Sequence, residues 1–208
     1  MFVAPDFKAL RGMAPAAMTI IDMPIGLADA GRRACEAMTR QKIGPRRSSV
    51  FSAPRRPMLA FSDYAQANEW GKRQGKALGG GLSKQAWMIV PKIRDIDAVI
   101  TPADQDYVGE GHPELAFWRL NGGAPCRRPK REKEGAEERR ALLDRAGIAD
   151  AAAHFDALRK RYGRGVALDD VYDACVLALT AEARLNGEAV RLSDGARDAR
   201  GLVMEIWG

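Results

Sequence analysis

Three acidic clusters carry the residue types and spacings from which this chain could build a reaction site. The first is "TIIDMPIGL" (19–27), where a β-branched run ends in Asp22 and Pro24 with Gly26 turns the chain at once. Ligands of open α/β sheets bind beyond the carboxyl ends of the strands, which places Asp22 at the sheet rim, directed into a crevice. The plainer reading is a turn aspartate bonding its own backbone. The second is "GEGHPE" (109–114): Glu110, His112 and Glu114 are spaced by two and share one face for as long as a strand persists. Ionisable groups on one face are costly unless they meet a cation, one another or water. Pro113 should end that strand, and Glu114 then opens a helix; a solvated edge is the plainer reading. The third is "LDDVYDAC" (168–175), in which Asp169 is a natural N-cap. Asp170 and Asp173, three apart and so about 60° around a helix, project from one face of its first turn. Capping and the helix dipole account for Asp169 and Asp170 better than for Asp173, whose neighbours Val171, Ala174, Cys175 and Ala178 read as a core-facing stripe.

Together these clusters supply carboxylates from two strand ends and one helix start. An oxygen-only donor set suits Mg²⁺ or Mn²⁺, which leave room for water and substrate phosphate. Two such ions can activate a water and stabilise the leaving oxygen of a phosphodiester. The loop "GPRRSSVFSAPRRP" (44–57) has Arg46, Arg47, Arg55 and Arg56 and no acid, and would be the phosphate-holding side. Its plainer reading is a solvated surface loop.

Other chemistries find little support. There is no Gly-x-Ser-x-Gly, no Walker A or dinucleotide fingerprint, and the two histidines, His112 and His154, lie far apart. Cys35, Cys126 and Cys175 are odd in number and widely spaced, which argues against a disulfide framework or zinc site and for a reducing compartment. Lys and Arg number 33 against 27 Asp and Glu, a net +6 that permits an anionic partner without demanding one. No signal-peptide pattern and no membrane-length apolar run is present, so a cytoplasmic protein without membrane contact is expected.

The elements that must position these residues read as follows. A short helix over 5–13 feeds a strand at 18–22. Helices follow over 29–43, with Asp29 as N-cap, and from Ser62-Asp63 toward the "LGGG" breaker. Ser83 caps a helical stretch that Pro91 kinks or splits. A strand and short helix occupy 106–120, and a charged connector at 125–140 turns into a helix ended by Gly147. Helices over 150–162 and 168–187 and a closing strand "GLVMEIW" complete the chain. Strands separated by helices predict a single α/β domain over 1–208 with a mainly parallel sheet.

In this order, "IDMPIGL", "GRRACEAM", "GPRRSSVFSAP", "LSKQAW…PKIRDID", "HPELAFWRLNGG" and "DDVYDACVLALTA" resemble the motifs of an uncharacterised family usually described as a predicted RNase H-like nuclease. The resemblance implies a ribonuclease H-like, three-layer α/β/α fold with a resolvase-like site. Asp170, Asp173 and Ala174 match that site's helical "Asp-x-x-Asp-Ala", and Asp22 matches the acid ending the fourth strand. Members of the family normally begin with a central strand bearing "Val-Asp-Gly", and this chain starts after that region. The fold expected is therefore incomplete at its N-terminus, with an open sheet edge through which a homodimer could form.

The function expected is a metal-dependent nuclease or phosphodiesterase acting on nucleic acid. Asp22, Asp170 and Asp173 would hold Mg²⁺ or Mn²⁺, Glu114 would be an accessory acid flanked by Glu110 and His112, and the loop arginines would contact phosphate. The alternative is a non-catalytic nucleic-acid or protein-interaction module using the basic loops 42–56 and 127–133, or a form of the nuclease without activity.

Overall fold

The computed structural model describes residues 3–13 and 16–208. Thr19–Ile21 (β1) and Val108–Glu110 (β2) pair in parallel, with Thr19 opposite Val108 and Ile21 opposite Glu110. Arg191–Leu192 (β3) and Ile206–Trp207 (β4) form an antiparallel pair. A parallel bridge from Gly111 to Trp207 joins the two ribbons, so β2 lies between β1 and β4. Among the described residues β1 has a strand partner on one side only.

Strand alternation decides which layer each residue meets. Ile21 and Val108 face a cluster with Phe7, Ile96 and Ile100 from the helices Phe7–Met13 (α1) and Val90–Val99 (α5). Ile20 faces the opposite cluster, which holds Phe117 of Pro113–Leu120 (α6), Leu143 of Lys133–Arg145 (α7), Leu158 of Ala151–Tyr162 (α8) and Val176 of Leu168–Leu185 (α9). Helices thus cover both faces of a short parallel sheet. A Cβ on Gly111 would collide with Ile20 and Leu177, so a glycine here lets α9 lie close on the sheet. A third cluster, with Cys35, Ile43, Leu115 and Met204, packs Ala34–Ile43 (α2) against α6 and the closing strands.

Local signals held where they were chemical. The Asp63 carboxylate accepts the Gln66 amide at 3.0 Å to start Tyr64–Arg73 (α3). Ser83 caps Lys84–Met88 (α4) through the Ala86 amide at 3.1 Å. Pro91 splits its stretch, separating α4 from α5 at Ile89.

Other expectations need correcting. Asp29 does not cap α2, which begins at Ala34. Arg33 stands at its N-cap in an extended conformation with no side-chain cap bond, its side chain being held in a buried ion pair with Glu110. The arginine loop is not irregular throughout, since Gly44–Ser49 and Arg56–Ala60 are 3-10 turns. Only Ile206 and Trp207 of the closing stretch make regular strand pairs. Ala174 and Ala178 are exposed, and α9 docks instead through Val171, Tyr172, Cys175, Val176 and Leu177.

Candidate functional site

The turn after β1 sets the site. The Ile25 amide donates to Glu110 Oε2 at 2.8 Å and the Leu27 amide to Asp198 Oδ2 at 2.9 Å. Two backbone donors of "MPIGL" are thus taken by carboxylates from elsewhere in the chain and not by Asp22, as an Asx-turn would require. Gly26 supplies the positive φ of 75°. By strand alternation Asp22 lies on the Ile20 side of the sheet, the side covered by α9.

From α9 comes Asp173, with only 12% of its side chain exposed. Beside Asp173 sits Lys130, from the connector before α7. Its Nζ lies 2.6 Å from Asp173 Oδ2 and 3.2 Å from Asp169 Oδ2. Burial pushes the Asp173 carboxyl up to about 6; Lys130 opposes the rise and the Asp22 charge adds to it. The Asp22 carboxyl is likewise pushed up to about 6 by its crowded surroundings, with Lys130 opposing and Asp170 adding. Asp22 keeps an exposed surface toward the cleft, so water screens it more than Asp173, and the Asp173 shift is the weightier of the two. Burial would lower the Lys130 ammonium, but Asp173 and Asp169 outweigh that and raise it. The centre is a short-range carboxylate–ammonium–carboxylate cluster under repulsive strain.

These groups line a cleft of about 710 Å³ that also admits His112, Glu114 and Arg46. A volume in the range of roughly 300–1,000 Å³ is that of a small-molecule or nucleotide site. His112 is half-buried; burial lowers its pKa and keeps the ring neutral. Its Nε2 lies 3.5 Å from the Ser49 carbonyl oxygen, at the limit of a hydrogen bond, and its buried Nδ1 has no protein partner. Arg46 reaches the wall with a buried Nε that likewise has no protein partner.

Of the remaining predicted residues, Glu110 and Glu114 line the same cleft but are held in buried ion pairs, and Asp170 caps a helix. Glu110, on the opposite face of β2 from the Asp22 layer, binds Arg33 Nη2 at 2.5 Å. Burial raises the Glu110 carboxyl, but Arg33 and the Ile25 amide oppose it, and an ion pair is the state this geometry holds. Glu114 opens α6 as expected, yet its Oε1 accepts from Arg139 at 2.5 Å, where Arg139 is 1% exposed. β2 stops at Glu110, so the strand does not carry the face drawn for Glu110, His112 and Glu114; the three still line one cleft, each with its own partner. Asp170 is exposed and its Oδ2 accepts the Ala167 amide at 3.3 Å, a capping contact at the rim of the cluster.

Of the four arginines of loop 44–57, Arg46 lines the cleft, which Arg131 also lines, while Arg47 is exposed outside it. Arg55 and Arg56 turn inward, against expectation. Arg55 is 4% exposed, donates to the Gly80 carbonyl at 2.6 Å and lies over the Trp70 ring. Arg56 pairs with Asp97 at 2.8 Å and with Asp198. Lys130 and Arg139 are the residues that sequence reasoning passed over as site partners. The signal for Lys130 was present in "RRPKREKE", but nothing local distinguishes it from its basic neighbours.

The donor set suits a hard cation chemically, being carboxylates alone. Among the described residues no group of three or more His, Cys, Asp or Glu is arranged to hold a metal ion, and the ammonium of Lys130 is paired with Asp173 and Asp169. A divalent ion fits this set only by exchange with Lys130.

The fold and cleft define a mixed α/β protein with an acidic cluster at the end of a parallel strand pair. The chain belongs to the family described as "Protein of unknown function (DUF429)", which matches residues 3–197. No curated protein and no solved structure matches it. No helix among the described residues is long and apolar enough to cross a membrane.

Proposed function

We propose that this chain is a divalent-metal-dependent phosphodiesterase of the nuclease kind, built on a ribonuclease H-like α/β/α scaffold. The observation that carries the reading is that Asp22, the residue after β1, and Asp173, from the first turns of α9, line one cleft, with Lys130 paired to Asp173. Carboxylates whose pKa values are raised by burial and by each other mark a site short of positive charge. Asp22 and Asp173 would hold Mg²⁺ or Mn²⁺, with Asp169 and Asp170 at the rim. When bound, the ion would supply charge neutralisation for a phosphate oxygen and activation of water. Arg46, with a free Nε on the wall, would orient the phosphate, and Lys130, released from Asp173, would add a second cation.

The test is a Mn²⁺ titration by calorimetry on the parent and on an Asp22→Asn, Asp173→Asn double variant, paired with Mn²⁺-dependent cleavage of a labelled oligonucleotide. Binding in the parent alone supports the reading; identical titrations sink it. One observation favours a second reading, a non-catalytic nucleic-acid-binding module. Lys130 already compensates the acids, so phosphate binding by the basic wall need not involve metal. Steeply salt-dependent binding that chelator leaves unchanged would favour it.

A further inference from the structure

The cleft that holds the carboxylates has an apolar lip. Phe51 is 41% exposed and Met88 78% exposed, and both line the same cleft as Asp22 and Arg46. Single exposed apolar side chains are ordinary, but two at the mouth of one charged cleft are not scattered surface.

Neither is presented by a loose segment. On one side of Phe51 the Val50 carbonyl accepts from Arg40 Nε at 2.9 Å, and on the other the Ser52 hydroxyl accepts from Arg40 Nη2 at 3.0 Å. The Ala53 amide then donates to buried Glu36 at 2.8 Å. Residues 50–53 are clamped to α2, and the ring is held outward at low entropic cost to a ligand. Met88 closes α4 at the break enforced by Pro91, with Ile89 beside it on the cleft wall.

We infer that Phe51 and Met88 form a stacking lip for an unpaired nucleobase, so that the substrate class of the carboxylate cleft is single-stranded nucleic acid. A flat aromatic face and a polarisable thioether take any base by its π-face. Arg46, with its unpartnered Nε, lines the same cleft and would neutralise the attached phosphate. In a duplex both faces of each base are covered by its neighbours, so only an unpaired or extruded base can use the lip. The inference rests on the phosphodiesterase reading for the role of the acids, but the lip binds without them.

The experiment is fluorescence anisotropy with a labelled oligothymidylate and a labelled hairpin duplex, in chelator, on the parent and on Phe51→Ala, Phe51→Tyr and Met88→Ala. The expected result is tighter binding of the single strand, a loss of roughly 10-fold in Phe51→Ala, a smaller loss in Met88→Ala, and retention in Phe51→Tyr. Equal affinity for strand and duplex, or alanine variants that bind like the parent, would overturn the inference. Mn²⁺ titration of Phe51→Ala keeps the two readings apart. Parent-like metal binding with no strand preference removes the lip and leaves the acids, whereas lip-dependent strand binding without metal binding does the reverse.

Discussion

Lys130 Nζ stands 2.6 Å from the Asp173 carboxylate, so this buried acid of the cleft is answered by a cation from a connector and not by another helix residue. On the proposed metal-dependent reading, the ammonium and a divalent ion would compete for one place.

Replacing that lysine should therefore help the metal. Lys130→Met removes the competitor while keeping the aliphatic stem, and Mn²⁺ affinity by calorimetry should tighten by about 10-fold, as loss of one close opposing charge predicts. Weaker or unchanged binding would mean that Lys130 and the ion do not share the site.

Stability should carry the mark of the same acids. The Asp173 carboxyl, near 3.8 when unfolded and about 6 when folded, binds its proton more tightly in the native state. Its favourable contribution is complete below the unfolded value and is lost as pH rises through about 6. Asp173→Asn removes the charged form, so Tm at neutral pH should rise by about 2–4 °C, the response to about 1 kcal/mol in a chain of this size. The gain should vanish near the unfolded value of 3.8, and a gain that persists there would refute the assignment.

Glu110 is expected to behave as a structural residue. Its pair with Arg33 is buried, with side-chain exposures of 8% and 2%. Glu110→Ala leaves a buried guanidinium without its partner and should cost about 3–5 kcal/mol in urea unfolding. The Arg33→Met, Glu110→Met double variant should recover much of that loss, and Mn²⁺ titration of any folded variant should match the parent.

The arginines should separate by position. Arg46→Ala should weaken oligonucleotide binding and reduce the salt slope by about 1, the signature of one lost phosphate contact. Arg55→Ala should leave the slope unchanged and lower Tm, because Arg55 ties the chain at Gly80 and covers Trp70. The opposite pattern would return Arg55 to the binding surface.

How much of this was legible in the chain depended on the range of the physics involved. Ser83 and Asp63 as caps, Pro91 as a break and Asp22 at a strand end are consequences of a few neighbouring residues. Resemblance to a family was also legible, and membership in the family of unknown function over residues 3–197 agrees with it. The fate of Glu110, Glu114, Arg55 and Arg56 was not legible, since each is decided by a partner between 25 and 142 positions away.

The sequence by itself determined the alternation of helix and strand, the acid that closes β1 and the paired acids at the start of α9, because periodicity, capping and turn chemistry act locally. Only the tertiary structure decided that Asp22 and Asp173 line one cleft, that Lys130 pairs with Asp173, and that Glu110 and Glu114 are spent on buried arginines. A parallel strand pair must be brought together by distant crossovers, and burial forces every charge it encloses to find its nearest opposite.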